Sequence, residues 1–160
     1  ALIHRPEILL LDEPTFGGDP LSRRDLWMIL HEMVEEGITV IVSTAYLDEA
    51  ERCDRVVFLH EGRVLALDDP AALQASLPGR VIEVRAGDAR RARDLLRDRA
   101  EVRRASLFGE AVHAVVAADV EPDAIRAALD SAGVDVRSVR VVPPSLEDAF
   151  IDRVPSDGRG

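Results

Sequence analysis

The chain has 160 residues, a formal net charge of −10 and a single cysteine, Cys53. One cysteine excludes an internal disulfide and is typical of a protein of the reducing cytoplasm. No apolar run approaches the about 20 residues that a membrane-spanning helix needs, and we expect no signal peptide. The acidic excess lies almost entirely in the first half of the chain, so we expect no nucleic-acid partner.

The first predicted element is a short strand that ends in two carboxylates. The apolar run 8–11 lies between Pro6 and Pro14 and is too short for a helix, so it predicts a strand buried on both faces. Such a strand indicates a parallel sheet covered by helices. Asp12 and Glu13 follow it, at the edge where ligands of parallel sheets bind. They are candidates for metal binding or proton transfer; the alternative is an acidic turn without a chemical role.

A helix and a second strand continue this pattern. Asp19 and Pro20 suit the N-cap and the first turn of a helix, and Gly37 suits its end. The β-branched run 38–43 predicts a second buried strand, which gives a βαβ unit with Ser43 at the same edge as the two carboxylates. The predicted apolar stripe of the helix consists of Leu26, Ile29, Leu30, Met33 and Val34.

Shorter elements complete the first half of the chain. We expect a helix end at 1–4, a short helix at 47–53, a hairpin formed by 56–59 and 64–67, and a helix at 71–76. The Leu-Pro-Gly segment at 77–79 has the composition of a linker.

The second half has the pattern of a different domain. Strands are predicted at 81–85, 102–107, 111–117 and 134–142, with helices at 88–99 and 121–132. This βαββαβ order is typical of a small ferredoxin-like α+β domain. After a Pro-Pro break, Ser145 and Asp148 are close to a capping box for a last short helix. The polar tail 155–160 is expected to be disordered.

Three spaced motifs carry a resemblance to a known family. They are Leu-Leu-Leu-Asp12-Glu13-Pro14-Thr15, then Gly17-x-Asp19-Pro20, then Ser43-Thr44-x-Tyr46-x-Asp48-Glu49-Ala50. At this spacing the motifs resemble the second half of an ABC-transporter nucleotide-binding domain over residues 1–77. The resemblance implies part of an α/β P-loop NTPase fold, with a parallel sheet and helices, followed by the ferredoxin-like domain.

The resemblance also implies roles for four residues. Asp12 corresponds to the Walker B aspartate, which holds the Mg²⁺ that bridges the β- and γ-phosphates of ATP. Glu13 corresponds to the carboxylate that polarises the attacking water. Asp19 resembles the acid of the D-loop, which signals across a dimer of such domains. Ala45 occupies the place of the switch histidine, which normally contacts the γ-phosphate.

Two departures from the family pattern limit the activity that we expect. The glycine-rich phosphate-binding loop and the LSGGQ-type signature are absent from these 160 residues, which also contain no lysine; we expect both motifs upstream of Ala1. The chain alone is therefore not expected to hold its implied cofactors, ATP and Mg²⁺. Ala45 has no side-chain donor, and loss of one transition-state donor typically costs about 10²–10³ in rate.

The end of the chain extends the resemblance. A small α+β domain followed by Ser145-Leu-Glu-Asp-Ala-Phe-Ile resembles the C-terminal appendage of ATPase subunits in ABC-2-type multidrug and antibiotic exporters. Together with Ala45 it is most similar to the first ATPase half of tandem-fused members. The resemblance implies an ATPase part at 1–77, an accessory domain at 80–154, and two partners: a second ATPase domain and a membrane permease at the inner face of the plasma membrane.

Two other interpretations stay open. The functional part of this chain could be residues 80–154, acting as a regulatory or dimerisation module. Alternatively, Ala45 marks a non-hydrolytic ATPase half that serves a competent partner half. Some tandem relatives are ribosome-associated ATPases, and these motifs do not separate them from exporters.

Overall fold

The computed structural model describes residues 6–155, so the expected helix end at 1–4 and the tail from 156 onward lie outside the described residues. The protein has a mixed α/β architecture with several sheets. It divides into two compact units, Ala1–Arg52 and Cys53–Gly160; the sequence-based division at 77–80 stays a prediction. Within the described part, no helix has both the length and the apolar character that crossing a membrane requires.

The first unit is a parallel strand–helix–strand arrangement. Strands β1 (Ile8–Asp12) and β2 (Thr39–Ser43) pair in parallel, in a register that aligns their last residues. Helix α1 (Pro20–Glu35) connects them, and the short helix α2 (Leu47–Ala50) follows β2. The predicted βαβ unit is confirmed, and the carboxyl ends of its strands lie side by side.

The prediction that these two strands are buried on both faces is wrong. In β1, Leu9 is 7% exposed, whereas Ile8 is 58% and Leu10 is 70% exposed. Ile41 of β2 is 56% exposed. A single crossover helix lies on one side of a two-stranded sheet, so the opposite apolar face is left open within residues 6–52.

Helix α1 begins and ends as its sequence predicts. Asp19 is the N-cap and accepts hydrogen bonds from the backbone N–H groups of Leu21 and Ser22, with Pro20 in the first turn. Gly37 follows the helix with a φ of +92°, a left-handed geometry that glycine adopts without a Cβ penalty.

The buried face of α1 is narrower than the predicted stripe. Trp27 and Leu30 are 5% and 4% exposed, whereas Ile29 and Val34 of that stripe are 46% and 44% exposed. Trp27, which the predicted stripe omitted, thus supplies the largest buried side chain of the helix. The stripe overestimates burial because two strands offer too little surface to cover a full helix face.

The second unit begins with a hairpin and a short helix. Strands β3 (Val56–His60) and β4 (Arg63–Asp68) pair antiparallel. The turn between them places Glu61 and Gly62 at φ values of +49° and +74°, as tight hairpin turns require. Helix α3 (Pro70–Ala75) follows, capped by the aspartate before it. The predicted hairpin and helix are confirmed.

The larger part of this unit is a four-stranded antiparallel sheet. Its strands are β5 (Arg80–Ala86), β6 (Val102–Phe108), β7 (Ala111–Val116) and β8 (Val136–Val142), in the spatial order β6-β7-β5-β8. Helices α4 (Ala89–Arg97) and α5 (Pro122–Ser131) make the crossovers. The predicted βαββαβ element order is confirmed.

The core of the second unit lies between this sheet and helices α4 and α5. Val84 of β5, Val112 of β7, Leu96 of α4 and Ile125 of α5 are all 0% exposed. Burial of one such aliphatic side chain contributes about 1.5–3 kcal/mol. A continuous set of these residues explains why this sheet, unlike the β1–β2 pair, is largely covered.

Helix α6 (Leu146–Arg153) ends the described chain. Ser145 and Asp148 form a complete capping box, in which each side chain accepts a hydrogen bond from the other residue's backbone N–H. Leu146 and Ala149 are 0% exposed. The predicted helix start at Ser145 and Asp148 is confirmed, and the burial of Leu146 and Ala149 shows that one face of the helix is covered.

Candidate functional site

Asp12 and Glu13 lie at the carboxyl end of β1, directly beside the end of β2. The Ser43 hydroxyl donates a hydrogen bond to Asp12 Oδ1. The backbone N–H of Glu13 donates to the carbonyl oxygen of Ser43 at 3.1 Å and to its Oγ at 3.0 Å. The structure thus brings the two candidate carboxylates together with Ser43 at one edge of the sheet.

Glu13 has a backbone geometry that is uncommon for its residue type. Its φ is +46°, in the left-handed region that costs a residue with a Cβ roughly 1–2 kcal/mol. Such strain is frequent at functional sites. Glu13 Oε2 lies 3.4 Å from the backbone nitrogen of Ala45. The candidate catalytic carboxylate and the candidate switch position are therefore neighbours.

Asp19, the candidate D-loop acid, is engaged at the start of α1. Its Oδ1 accepts hydrogen bonds from the backbone N–H groups of Leu21 at 3.0 Å and Ser22 at 3.1 Å, and Ser22 Oγ donates to Oδ2 at 2.6 Å. The Ser22 hydroxyl first, and then these backbone donors, hold the pKa of Asp19 below its ordinary value. The carboxylate is consequently ionised at neutral pH and fixes the first turn of the helix.

Glu49 of α2 belongs to a second group of residues, to which the sequence patterns assigned no role. Glu49 is 2% exposed. Its Oε2 accepts hydrogen bonds from Thr15 Oγ1 at 2.8 Å and Thr44 Oγ1 at 2.9 Å. Its Oε1 faces Arg23, with Nε at 2.9 Å and Nη2 at 2.7 Å. These four residues are called the Glu49 cluster below.

Glu49 is ionised in spite of its burial. Burial alone would raise the pKa of this carboxyl, but the hydrogen bonds from Thr15, Arg23 and Thr44 outweigh that effect and hold the pKa below its ordinary value. Thr15, Thr44 and Glu49 belong to the quoted motifs, yet no local pattern connects them with Arg23. The cluster was missed because its members lie on separate segments that only the fold brings together.

The carboxylate edge can supply one oxygen ligand to a magnesium ion. Mg²⁺ prefers oxygen ligands and is commonly bound by one or two carboxylates, with phosphate oxygens and water completing its shell. Asp12 is exposed, and one of its two oxygens accepts the Ser43 hydrogen bond. Among residues 6–155, no group of three or more His, Cys, Asp and Glu side chains is placed to hold a metal ion. The donors fit an ion held mainly by a nucleotide's phosphates.

Comparison with known proteins identifies the family of the chain. The family described as ATP-binding protein DrrA1-3-like, C-terminal domain, matches residues 69–154. Over 155 residues, the chain is 37% identical to the probable multidrug ABC transporter ATP-binding protein YbhF of Escherichia coli (strain K12), covering 95% of this chain and 26% of that protein.

Two further relatives are matched over about half of their own length. The chain is 32% identical to the daunorubicin/doxorubicin resistance ATP-binding protein DrrA of Streptomyces peucetius, covering 94% of this chain and 47% of that protein. It is 37% identical to the Nod factor export ATP-binding protein I of Rhizobium sp. (strain N33), covering 94% of this chain and 48% of that protein.

The chain thus spans between a quarter and a half of the length of these curated relatives. More than half of its residues fall within the matched family domain, and nearly all of them align with ABC transporter ATP-binding proteins. The chain belongs to the DrrA1-3-like family of ABC transporter ATP-binding proteins.

Proposed function

We propose that this chain is the Walker B, D-loop and switch-loop part of an ABC transporter ATP-binding subunit, together with its accessory domain. The complete subunit couples ATP binding and hydrolysis to export through a membrane permease. The observation that carries this proposal is the edge at which Asp12, Glu13 and Ala45 meet: Asp12 bonds to Ser43, and Glu13 Oε2 lies 3.4 Å from the Ala45 nitrogen.

Each residue of this edge has a chemical role under the proposal. Asp12 would hold Mg²⁺ through its carboxylate, and the ion would supply positive charge to neutralise the phosphates. Glu13 accepts a proton from, or orients, the attacking water, which requires hydrogen-bond reach and an ionised carboxylate. The backbone N–H of Ala45 donates toward this carboxylate and restrains its orientation.

The alanine at position 45 predicts slow hydrolysis. Its backbone N–H is directed at Glu13, and its side chain has no donor for a γ-phosphate. This arrangement supports the variant of the proposal in which the chain belongs to a weakly hydrolytic half that works with a competent second ATPase domain. That assignment, and the tandem-fused and ribosome-associated alternatives, belong to the proposal.

The open face of the β1–β2 sheet supports an assignment to part of a P-loop NTPase sheet. Ile8, Leu10 and Ile41 are each more than half exposed, and an apolar face of this kind is costly in water. We propose that further strands and helices of the complete ATPase domain cover this face. The same proposal places the subunit in the cytoplasm, peripheral to the inner face of the plasma membrane through its permease.

The four-stranded sheet of the second unit supports the other fold assignment. Its order β6-β7-β5-β8 with two crossover helices is that of the split βαβ pattern, so we propose a ferredoxin-like accessory domain at 80–154. Because this sheet has its own buried core, a regulatory or dimerisation role is a second candidate function. If residues 80–154, made alone, were unfolded or strictly monomeric, with no ligand-dependent change in oligomeric state, that candidate would be discarded.

A hybrid enzyme tests the main proposal. In the Nod factor export ATP-binding protein I of Rhizobium sp. (strain N33), the segment aligned with this chain is replaced by this chain; we call the product the hybrid ATPase. It is expected to bind ATP. Glu13→Gln should retain binding and lower turnover on the order of 10²-fold or more, whereas the exposed control Glu36→Gln should leave turnover unchanged.

Two results would contradict the proposal. One is a Glu13→Gln hybrid that hydrolyses ATP as fast as its parent. The other is calorimetric binding of Mg-ATP with micromolar affinity by the 160-residue chain alone, since these residues contain no lysine and no glycine-rich phosphate-binding loop.

A further inference from the structure

The Glu49 cluster lies between the two loops that carry the candidate catalytic positions. The first loop, residues 13–19, follows β1 and contains Glu13 and Thr15. The switch loop, residues 44–46, follows β2 and contains Thr44. Both threonine hydroxyls donate to the same oxygen of Glu49, at 2.8 Å and 2.9 Å. One carboxylate oxygen therefore joins the two loops.

The other oxygen of Glu49 joins a third segment. Arg23, in the second turn of α1, reaches Oε1 through two nitrogens. Its guanidinium carbon also lies 4.3 Å from the centre of the Tyr46 ring, a cation–π distance. Arg23 thus contacts both the buried carboxylate and the end of the switch loop, so the start of α1 belongs to the same network.

Because this network is buried, the loss of one of its hydrogen bonds is costly. Thr15 is 3% exposed and Glu49 is 2% exposed, so their hydrogen bonds are shielded from water and a lost partner is not replaced by solvent. An ionised carboxylate accepts hydrogen bonds on both oxygens, whereas a glutamine amide accepts on one and donates on the other. Four donor contacts converge on Glu49, so glutamine matches its shape but not its hydrogen bonds.

We propose that Glu49 is a positioning residue, which couples the first loop to the switch loop so that they move as one body and keep Glu13 beside Ala45. Glu49 touches neither nucleotide nor water under this proposal; it acts through Thr15 and Thr44. Its importance for catalysis rests on the proposed function, but the coupling itself does not, because it is a property of the chain without nucleotide.

Single-residue amide exchange, followed by NMR on the 160-residue chain, tests the coupling. Each loop contains reporters: the N–H groups of Phe16 and Gly18 bond within the first loop at 3.0 Å, and that of Tyr46 bonds to Thr44 Oγ1 at 3.0 Å. Glu49→Gln should raise exchange roughly tenfold at all three amides. The control Asp48→Asn removes a neighbouring charge that is 74% exposed and pairs with Arg23 at 3.7 Å. Because an exposed ion pair contributes little to stability, this variant should leave exchange at the three amides unchanged.

Two substitutions that each remove a single hydroxyl distinguish coupling of the two loops from loosening of one loop alone. Thr15→Val removes a donor from the first loop and should also raise exchange at Tyr46. Thr44→Val removes a donor from the switch loop and should also raise exchange at Phe16 and Gly18. If each substitution loosens only its own loop, or if Glu49→Gln and Asp48→Asn act alike, the coupling is refuted. The valine variants also decide the matter if Glu49→Gln unfolds the unit.

The hybrid ATPase supplies a kinetic readout that simple destabilisation would not produce. Glu49→Gln should lower kcat on the order of tenfold through misplacement of Glu13, with little change in the KM for ATP, and Glu49→Asp should recover part of the loss. An unchanged kcat in a hybrid that depends on Glu13 would overturn the positioning role. A hybrid insensitive to Glu13→Gln would instead count against the proposed function and leave the exchange result standing.

Discussion

His113 Nδ1 lies 2.9 Å from Asp148 Oδ1, and both side chains are less than a tenth exposed. This bond joins β7 to α6. Asp148 also accepts hydrogen bonds from Ser145 as part of the capping box. The ring of Phe108 stacks on the His113 imidazole with centroids 4.1 Å apart, and Glu83 Oε2 lies 3.9 Å from the other ring nitrogen. Asp148 thus fixes both the start of α6 and its attachment to the sheet.

Asp148→Asn is predicted to destabilise the second unit. The asparagine retains the size of the side chain but loses the charge that His113 and Ser145 face, so we expect a loss of about 1–3 kcal/mol in the free energy of unfolding. Urea denaturation measures it. Asp130→Asn, at an exposed position of α5, is the matched control. Equal stability of the two variants would show that the buried pair contributes nothing.

The stability of the second unit is predicted to depend on pH through the Asp148 carboxylate. Burial alone would raise the pKa of Asp148, but the hydrogen bonds from His113 and Ser145 outweigh it and hold the pKa below its ordinary value. The folded-state pKa therefore lies below the unfolded value of about 3.9, so the stabilisation is present above that value and is lost as the pH falls through the folded-state pKa. Urea midpoints between neutral and acidic pH should fall less for Asp148→Asn than for wild type.

Glu147, one residue earlier, is predicted to behave in the opposite way. Burial first, and then the negative charge of Asp148, raise its pKa. Its carboxylate therefore destabilises the folded state at neutral pH, and that cost disappears as the pH falls through the raised pKa. Glu147→Gln should increase stability at pH 7 by about 0.5 kcal/mol. A lower urea midpoint for this variant at pH 7 would contradict the prediction.

Gly79 and Gly109 form a matched pair of glycine positions. Both have positive φ, +91° and +59°. A Cβ on Gly79 would overlap the carbonyl oxygen of Val116, whereas one on Gly109 meets nothing within 4 Å. Gly79→Ala should therefore cost roughly 3 kcal/mol or more, and Gly109→Ala only the left-handed penalty of about 1 kcal/mol. Thermal unfolding measures both; equal losses would show that backbone conformation alone decides the cost.

Ala45→His is predicted to increase turnover of the hybrid ATPase. The substitution adds a side-chain donor at the switch position and leaves the backbone N–H that faces Glu13 in place. Because loss of one transition-state donor costs about 10²–10³ in rate, we expect an increase of at least tenfold in kcat. Ala45→Ser is a control with a shorter donor. If Ala45→His did not raise kcat, slow hydrolysis of ATP would have a cause other than the alanine at this position.

Local chemistry accounts for what the sequence predicted well. Interactions within a few residues form three of the predicted features: the helix start at Asp19 and Pro20, the hairpin turn at Glu61 and Gly62, and the capping box of Ser145. The position of Asp12 and Glu13 was also predictable from local sequence, because a strand ends where its apolar run ends, and ligands of parallel sheets bind at that edge.

Burial was predicted less well because it depends on what packs against a segment. An apolar run such as 8–11 indicates cover on both faces, but that cover has to come from other elements. The exposure of Ile8 and Leu10 follows because a single helix crosses over within residues 6–52. The predicted stripe of α1 failed for the same reason at Ile29 and Val34.

The residue pattern alone predicts the order of elements, their caps and turns, and the place of Asp12 and Glu13 at a strand end. The folded arrangement is needed to see that Glu13 faces Ala45, that Thr15, Arg23 and Thr44 converge on Glu49, and that His113 holds Asp148. The difference lies in distance along the chain. Caps and turns form between residues a few positions apart, whereas a buried carboxylate recruits donors from segments that meet only when the strands and helices have packed.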